Sequence, residues 1–448
     1  MRSYKYSRYN HIIEYGQEYL IYNSVSGALS VMSDDEKKQM EELVIADMDT
    51  ISHEEKIFLD HLLLNNYLIP KEVDELAVLK EKYDMRKQRT DRIVLTILPT
   101  LGCNFACNYC FEGNEKSNQV MGIDIQNRWL QWLEEHMKGV RHLSVTWFGG
   151  EPTLAMAVIR RMSDRMMSLC QQHQISYTAG IITNGYMLSE ELVGELYVRG
   201  VRMIQVTLDG PSYIHDKVRY VKGSNQGSFH KILKNICDYS KLYPAIHTSI
   251  RINVDERNEL QCFELLDELK GLLKNAKNTT IYFAPIHAST SMCEHISQFT
   301  LEAMHYAELE TKLMKKALEY GLTQIGLPPV YMGLCGAANP NGYVALPDGS
   351  IHKCWETVSM KEYQVGTILE EPIVEEEKFK KWLAWSPFHE EECKECGILP
   401  NCAGMCTYRF RYKENYSGNS ALSPCPSLKY ELGQRLLMFM KEREKNCQ

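Results

Sequence analysis

The sequence predicts an α/β protein built on a parallel sheet, with a small α+β module before it and a cysteine-rich unit after it. Three observations carry this prediction. From about residue 91, short apolar runs alternate with amphipathic helical segments, the pattern of a parallel sheet with crossover helices. Residues 1–90 contain no clustered cysteine and read as a hairpin with helices. From residue 326 to 448, glycine, proline, asparagine and cysteine crowd the connections. A prior of about 150 residues per domain makes roughly three units of a chain of 448.

In the first zone, EYLIYNSVSGALSVMS (18–33) predicts two strands, Glu18 to Met32, around a Ser26-Gly27 turn. Ser33 and Glu36 have capping-box spacing, and acids fill the turn that follows, so a helix starts there. SHEEKIFLDHLLLNNYL (52–68) predicts a second helix, ending before Pro70. EVDELAVLKEKYDMRKQR (72–89) predicts a charged helix or linker. In the second zone the expected strands are RIVLTILPT, HLSVTWFGG, YTAGIITNG, VRMIQVTLDG, HTSIRINVD and TTIYFAPI, with helical segments between them. An open barrel and a doubly wound sheet both satisfy this order, and both gather chemistry at the C-terminal ends of the strands. The tripeptides Gly149-Gly150-Glu151, Thr183-Asn184-Gly185 and Leu208-Asp209-Gly210 lie at those ends.

Composition narrows the function. Apolar residues at 44% suffice for sizeable cores, and a net charge of −8 argues against nucleic acid, which needs concentrated positive charge. No apolar run reaches the ~18 residues of a membrane span, and the N-terminus lacks an export-type apolar core, so a cytoplasmic location is expected. Fifteen cysteines in a reducing compartment point to metal ligation rather than disulfides.

Cys103, Cys107 and Cys110 form a C-x3-C-x2-C loop directly after a strand. Structural zinc takes four protein ligands, commonly from separated C-x2-C pairs, whereas an iron–sulfur cube can accept three thiolates and leave one iron open. The loop, with Tyr109 just before its third cysteine, resembles the signature of the radical S-adenosylmethionine (SAM) enzymes. The resemblance implies a partial (β/α)6 barrel over residues 91–325 and a [4Fe–4S] cluster whose open iron binds SAM, which is cleaved to a 5′-deoxyadenosyl radical. It also implies that Gly149, Gly150 and Glu151, as the GGEP motif with Pro152, hold the amino group of the methionine moiety through backbone and acid. Asn184 and Thr207 would contact ribose or carboxylate, and Arg219 would offer its guanidinium to that carboxylate.

Further on, Cys335, Cys354, Cys393, Cys396, Cys402, Cys406 and Cys425 resemble the seven-cysteine SPASM extension, here residues 326–448. That resemblance implies two auxiliary [4Fe–4S] clusters, three clusters in all. Cys393, Cys396, Cys402 and Cys425 would hold the distal one, and Cys335, Cys354 and Cys406 the proximal one. Two structural zinc sites are the alternative. Some relatives add a proximal cysteine soon after the first, and CGAANPNGYVALPDG has none, so a proximal iron is expected to stand open unless Cys293 or Cys447 fills it. Such an iron would suit a substrate thiolate. Cys170, Cys237 and Cys262 read as small apolar residues of helices, and His287 and His295 as polar groups near the barrel mouth, outside the site.

The first 90 residues resemble the winged-helix-like leader-recognition module of peptide maturases, which adds a leader peptide as a strand to a sheet edge. The whole therefore reads as a maturase of a ribosomally made precursor peptide, with thioether formation as the expected chemistry. Its external one-electron donor would be of flavodoxin or ferredoxin type, with no nucleic-acid or membrane partner. No protein residue is assigned as a catalytic acid or radical quencher. Formylglycine formation of the anaerobic sulfatase-maturating type, carbon–carbon crosslinking and epimerisation are the alternatives.

Overall fold

The computed structural model describes residues 3–47, 50–113, 117–224, 226–330, 334–412 and 424–447, without the side chains of 446 and 447. Short strands β1 (Tyr4–Tyr6), β2 (Asn10–Tyr15), β3 (Glu18–Asn23) and β4 (Leu29–Met32) open the chain. Strands β2, β3 and β4 form an antiparallel sheet in that order. Helix α1 (Asp34–Ile45) starts at the expected capping box, where the Ser33 side chain accepts from the Glu36 N–H and Glu36 answers to the Ser33 N–H. Ser52 and Glu55 repeat the device at α2 (His53–Leu64).

That second helix ends earlier than the sequence pattern predicts. Asn65 caps it, Asn66 takes a left-handed conformation (φ 58°), and Leu68–Pro70 becomes β5, paired antiparallel with β1. Asparagine tolerates this conformation through its short polar side chain, so the apolar residues that follow leave the helix axis. Strands β1, β2 and β5 are too short or too mixed in polarity to announce themselves. The charged segment at 72–89 is a helix, α3 (Glu75–Lys87), capped by Asp74.

Strands β6 (Arg92–Ile97), β7 (His142–Trp147), β8 (Ser176–Thr183), β9 (Val201–Leu208), β10 (His247–Val254) and β11 (Thr279–Pro285) fall within the six predicted runs. They pair in sequence order, all parallel, which makes the sheet a singly wound open barrel and excludes the doubly wound arrangement. Helices α4 (Ile123–His136), α5 (Met156–Gln172), α6 (Glu190–Val198), α7 (Ser212–Val218), α8 (Phe229–Leu242), α9 (Gln261–Leu272) and α10 (Ala303–Glu319) are distributed among and after these strands. Trp129 and Leu133 of α4, Ile159 and Met162 of α5, Ile236 of α8 and Leu266 of α9 join Leu143, Val145 and Ile250 of the sheet in one buried core.

The cysteine-rich segment does not stand apart from this barrel. Its strand β12 (Gly342–Ala345) runs parallel to β6, and β13 (Ser350–His352) and β14 (Gly366–Thr367) continue the same nine-stranded sheet antiparallel. The edge of β6, which would otherwise present unpaired backbone groups, is thereby closed. A closing helix, Leu428–Cys447, packs on α10, where Arg435 Nη2 meets Glu310 Oε2 at 2.6 Å.

The N-terminal elements rest on the cysteine-rich segment. Tyr9, Leu79 and Tyr83 share a core with Trp385, Phe388, Cys393 and Leu399, while Leu20 and Tyr22 pack with Ile398, Leu432 and Leu436. Asn401 Nδ2 lies 2.9 Å from both the Tyr22 hydroxyl and the Pro329 carbonyl, and Ser24 donates to the Gly397 carbonyl at 2.6 Å. Replacing Asn401 with alanine would leave the Tyr22 and Pro329 groups short of a buried partner, costing about 1–3 kcal/mol. Hydrogen exchange should then quicken in β2–β4 of Asn401→Ala while the barrel strands β7–β10 keep their protection.

Candidate active site

The three-cysteine loop follows β6 and is tied down from two sides. Lys222 N–H bonds the Asn104 carbonyl at 2.8 Å and Ala106 N–H the Tyr220 carbonyl at 3.3 Å, holding its middle against the segment after α7. On the other side, Gly150 N–H reaches the Thr100 carbonyl at 3.3 Å and Glu151 N–H the Gly102 carbonyl at 2.8 Å. The contact explains both glycines. A Cβ on Gly150 would lie 2.3 Å from the carbonyl oxygens of Leu101 and Gly102, and one on Gly149, which has φ 115°, would lie 2.5 Å from that of Thr100.

Glu151 serves this packing from behind. It is fully buried, and its Oε1 accepts from Thr153 N–H (3.1 Å), Thr153 Oγ1 (2.6 Å) and Thr183 Oγ1 (2.7 Å), while Oε2 accepts from Asn184 N–H (2.7 Å). Its oxygens thus serve Thr153 and the end of β8, and Gly149 and Gly150 are the residues of the motif that line the cavity.

That cavity, about 380 Å³, occupies the C-terminal mouth of the barrel. Cys103, Cys107, Cys110, Tyr109, Gly149, Gly150, Asn184, Thr207 and Arg219 all line it, so the structure brings together every residue assigned from the first motif and its supporting tripeptides except Glu151. Asn184 Nδ2 bonds Asn104 Oδ1 at 2.7 Å, which links the β8 end to the cysteine loop. Arg219 Nη1 donates to the Tyr109 oxygen at 2.5 Å, Asn253 Nδ2 does so at 3.1 Å, and the Tyr109 hydroxyl donates to Asp209 Oδ2 at 2.7 Å. Arg219 is thus partly committed to the protein, yet its Nε is buried without a partner.

Burial pushes the Cys107 thiol up to about 12, against the pull of Arg219 and with Cys110 and Cys103 adding to the rise. Burial likewise raises Asp209, with Arg219 opposing. Three thiols facing one cavity and feeling one another, beside glycines that leave backbone exposed, fit a cluster that takes thiolates and leaves one position for a ligand. Among the described residues no three His, Cys, Asp or Glu side chains close around a point as tightly as a single ion requires; the ligands of a cube stand further apart, one to each iron.

Burial also acts on the later cysteines. The Cys354 thiol is raised well above its usual range by burial, with Cys335, Glu356 and Cys406 adding. Cys393 is raised by burial to about 12, with Cys402, Cys425 and Cys396 adding. Cys335 and Cys406 thus act on Cys354, and Cys396, Cys402 and Cys425 on Cys393. Lys429 Nζ stands 3.6 Å from Cys425 Sγ. Lys353, buried, donates to the carbonyls of Asn339 (2.6 Å) and Gly342 (2.7 Å) beside Cys335. The Cys293 thiol meets the Thr290 carbonyl at 3.4 Å; Cys447 lies in the closing helix with its side chain outside the described residues. His287 lines the cavity, and His295 Nε2 meets the Asn108 carbonyl at 2.8 Å.

Residues 97–270 match the family model described as the Radical SAM superfamily. This stretch is a radical SAM domain, of the kind that cleaves SAM. SAM and a [4Fe–4S] cluster follow from that domain. Over 338 residues, 68% of this chain and 86% of the relative, the sequence is 22% identical to a cysteine-type anaerobic sulfatase-maturating enzyme of Clostridium perfringens. Among solved structures, native anSMEcpe with bound AdoMet superposes with a TM-score of 0.56 at 18% identity, over 78% of this chain and 99% of that one. Streptococcus suis SuiB bound to precursor peptide SuiA superposes with a TM-score of 0.52 at 14% identity, over 95% and 99%. The radical SAM domain shares its fold with both.

Motif reading missed Gln205, Arg251, Asn253, Tyr282, Trp355, Glu356 and Arg409, all of which line the cavity. A signal for four of them exists in the strands. Gln205 and Thr207 of β9, Arg251 and Asn253 of β10 and Tyr282 of β11 are polar residues on alternate positions, and the ladder sets Arg251 opposite both Thr207 and Tyr282. The other three come from the cysteine-rich segment, and their arrival at the mouth depends on how β12 docks.

Two substitutions test this arrangement. Gly150→Ala should displace the cysteine loop and lower the iron retained per chain after anaerobic reconstitution, read by metal analysis. Glu151→Gln turns an N–H2 toward groups that already donate, a loss of about 1–3 kcal/mol that should weaken SAM binding by about fivefold to 150-fold in anaerobic equilibrium dialysis.

Proposed function

We propose that this enzyme matures a ribosomally made precursor peptide, joining a core cysteine to a carbon of another residue as a thioether. The observation that carries the reading is the single cavity, which runs from Cys103, Cys107, Cys110 and the two glycines to Glu356 and Arg409 beside the second group of cysteines. When bound, the first cluster and SAM supply a 5′-deoxyadenosyl radical able to take a hydrogen atom from carbon.

The chain's own residues would do the rest. Gly149 and Gly150 offer backbone acceptors to the ammonium of SAM, and Arg219, Asn184 and Thr207 offer donors to its carboxylate and ribose. Aromatic residues Phe148 and Trp355, whose rings lie 5.7 Å apart, form the apolar wall that limits water near the reacting carbon. Cys335, Cys354 and Cys406 would hold the proximal auxiliary cluster, and Cys393, Cys396, Cys402 and Cys425 the distal one. The reduced thiols and clusters suit the cytoplasm and a flavodoxin- or ferredoxin-type donor.

Residues 1–90 would bind the leader on the β2–β3–β4 sheet, raising the effective concentration of the attached core at the barrel mouth. Support comes from the likeness to SuiB, whose structure holds a precursor peptide and superposes over 95% of this chain against 78% for anSMEcpe. The second reading, formylglycine formation, draws on the likeness to the Clostridium perfringens relative over 338 residues.

Anaerobic incubation with reductant, SAM and a cysteine-containing precursor peptide decides between them. The expected result is 5′-deoxyadenosine together with a peptide that has lost two hydrogens and one alkylatable thiol. A peptide carrying an aldehyde in place of that thiol would establish the formylglycine reading instead.

A further inference from the structure

One side of the barrel interior is a wall of donors. Ile250 and Ile252 of β10 are buried in the apolar core, so the alternate residues Arg251 and Asn253 point the other way, and both line the cavity. Two hydrogen bonds fix which of the atoms on this wall stay unspent. Arg251 Nε donates to Asn253 Oδ1 at 2.7 Å, and Asn253 Nδ2 donates to the Tyr109 oxygen at 3.1 Å, so the guanidinium is held by its inner edge. The Tyr282 hydroxyl donates to Gln205 Oε1 at 2.9 Å, which uses the acceptor of that amide and leaves its N–H2. Gln205 stands on β9 opposite Ser249, two residues from Arg251 on the same face. Among the described residues, neither Nη nitrogen of Arg251 nor Nε2 of Gln205 has a hydrogen-bond or ion-pair partner, and all three keep accessible surface. The acids of the cavity wall do not answer them: Glu356 accepts from Ser289, and among the described residues neither Glu112 nor Glu356 forms an ion pair with Arg251.

A partly buried guanidinium with both Nη groups unspent, next to an amide N–H2, is a positive site without a counter-charge. A planar carboxylate matches such a fork with two parallel hydrogen bonds. SAM brings one carboxylate, and Arg219 stands at the cavity for it. The second guanidinium therefore calls for a second anion. We propose that Arg251 and Gln205 form a subsite for a carboxylate of the peptide substrate, either an acidic side chain or a free C-terminus, seated inside the barrel against β9 and β10. This rests on reading the substrate as a peptide and names a group that the peptide carries. Arg251 is on this account a specificity-determining residue.

The test is saturation-transfer NMR on the full chain, reconstituted anaerobically and loaded with SAM, without reductant so that SAM stays whole. The probes are acetyl-Gly-Asp-Gly-amide, acetyl-Gly-Asn-Gly-amide and acetyl-Gly-Asn-Gly with a free C-terminus. One or both of the acidic peptides should bind about tenfold more tightly than the neutral one, and which of them does so tells side chain from C-terminus. The preference should vanish in Arg251→Gln. It should also fall in Gln205→Glu, which keeps the acceptor for Tyr282 but sets a second acid beside the site. Equal binding of the three peptides, or binding of none, overturns the proposal, as does a preference that survives Arg251→Gln. Weakening of SAM binding in Arg251→Gln to the same extent as peptide binding would assign the guanidinium to SAM and overturn it as well. Should Arg251→Gln fail to load iron, an undiminished preference in Gln205→Glu overturns the proposal alone. No turnover enters this measurement, so an aldehyde product in the peptide assay would end the thioether reading and leave the preference standing, whereas peptides that bind alike end the subsite and leave thioether formation untouched.

Discussion

Backbone pressed on backbone organises the barrel mouth. Gly150 sits so close to the carbonyls of Leu101 and Gly102 that a single added carbon would lie 2.3 Å from both oxygens. This contact brings the loop after β7 against the loop after β6 and sets the position of three thiols relative to a stretch of exposed main chain. Glu151 holds it from below with four accepted hydrogen bonds, all buried. A carboxylate so fully satisfied is a structural strut in a low-dielectric setting, where leaving any one of its donors unmet would be costly.

A second network governs the opposite wall. Tyr109, lying between two cysteines in sequence, receives Arg219 and Asn253 and donates to Asp209, so the loop is fastened to the ends of β9 and β10 and to the turn after α7. Arg219 places a buried positive charge beside Cys107 and Asp209. Thiols that burial holds protonated become thiolates when iron binds them, and a fixed cation nearby favours that form. The same residues thus shape the cavity and condition it for a cluster.

The far end of the cavity is furnished by a different part of the chain. Strand β12 pairs with β6, and the turns that follow bring Trp355 and Glu356, and later Arg409, to the barrel mouth. The N-terminal sheet in turn leans on this segment through Tyr22, Asn401 and Gly397, so it is connected to the mouth through the cysteine-rich unit. Packing of this kind couples three stretches of sequence into one working surface.

Much of this was legible in the linear sequence. Six strand runs, the capping boxes at Ser33 and the three-cysteine loop are local patterns, written in periodicity and spacing, and local patterns survive folding because neighbouring residues satisfy them. What the sequence determined by itself is therefore the set of elements and the cysteine-bearing loops. Tertiary structure alone decided that Glu151 turns inward, that Arg219 spends one nitrogen on Tyr109, that β12 extends the barrel sheet, and that Glu356 reaches the cavity. Each of these depends on which groups meet across tens or hundreds of residues, and a buried polar atom takes whatever partner the packing supplies, a choice that no run of adjacent residues encodes.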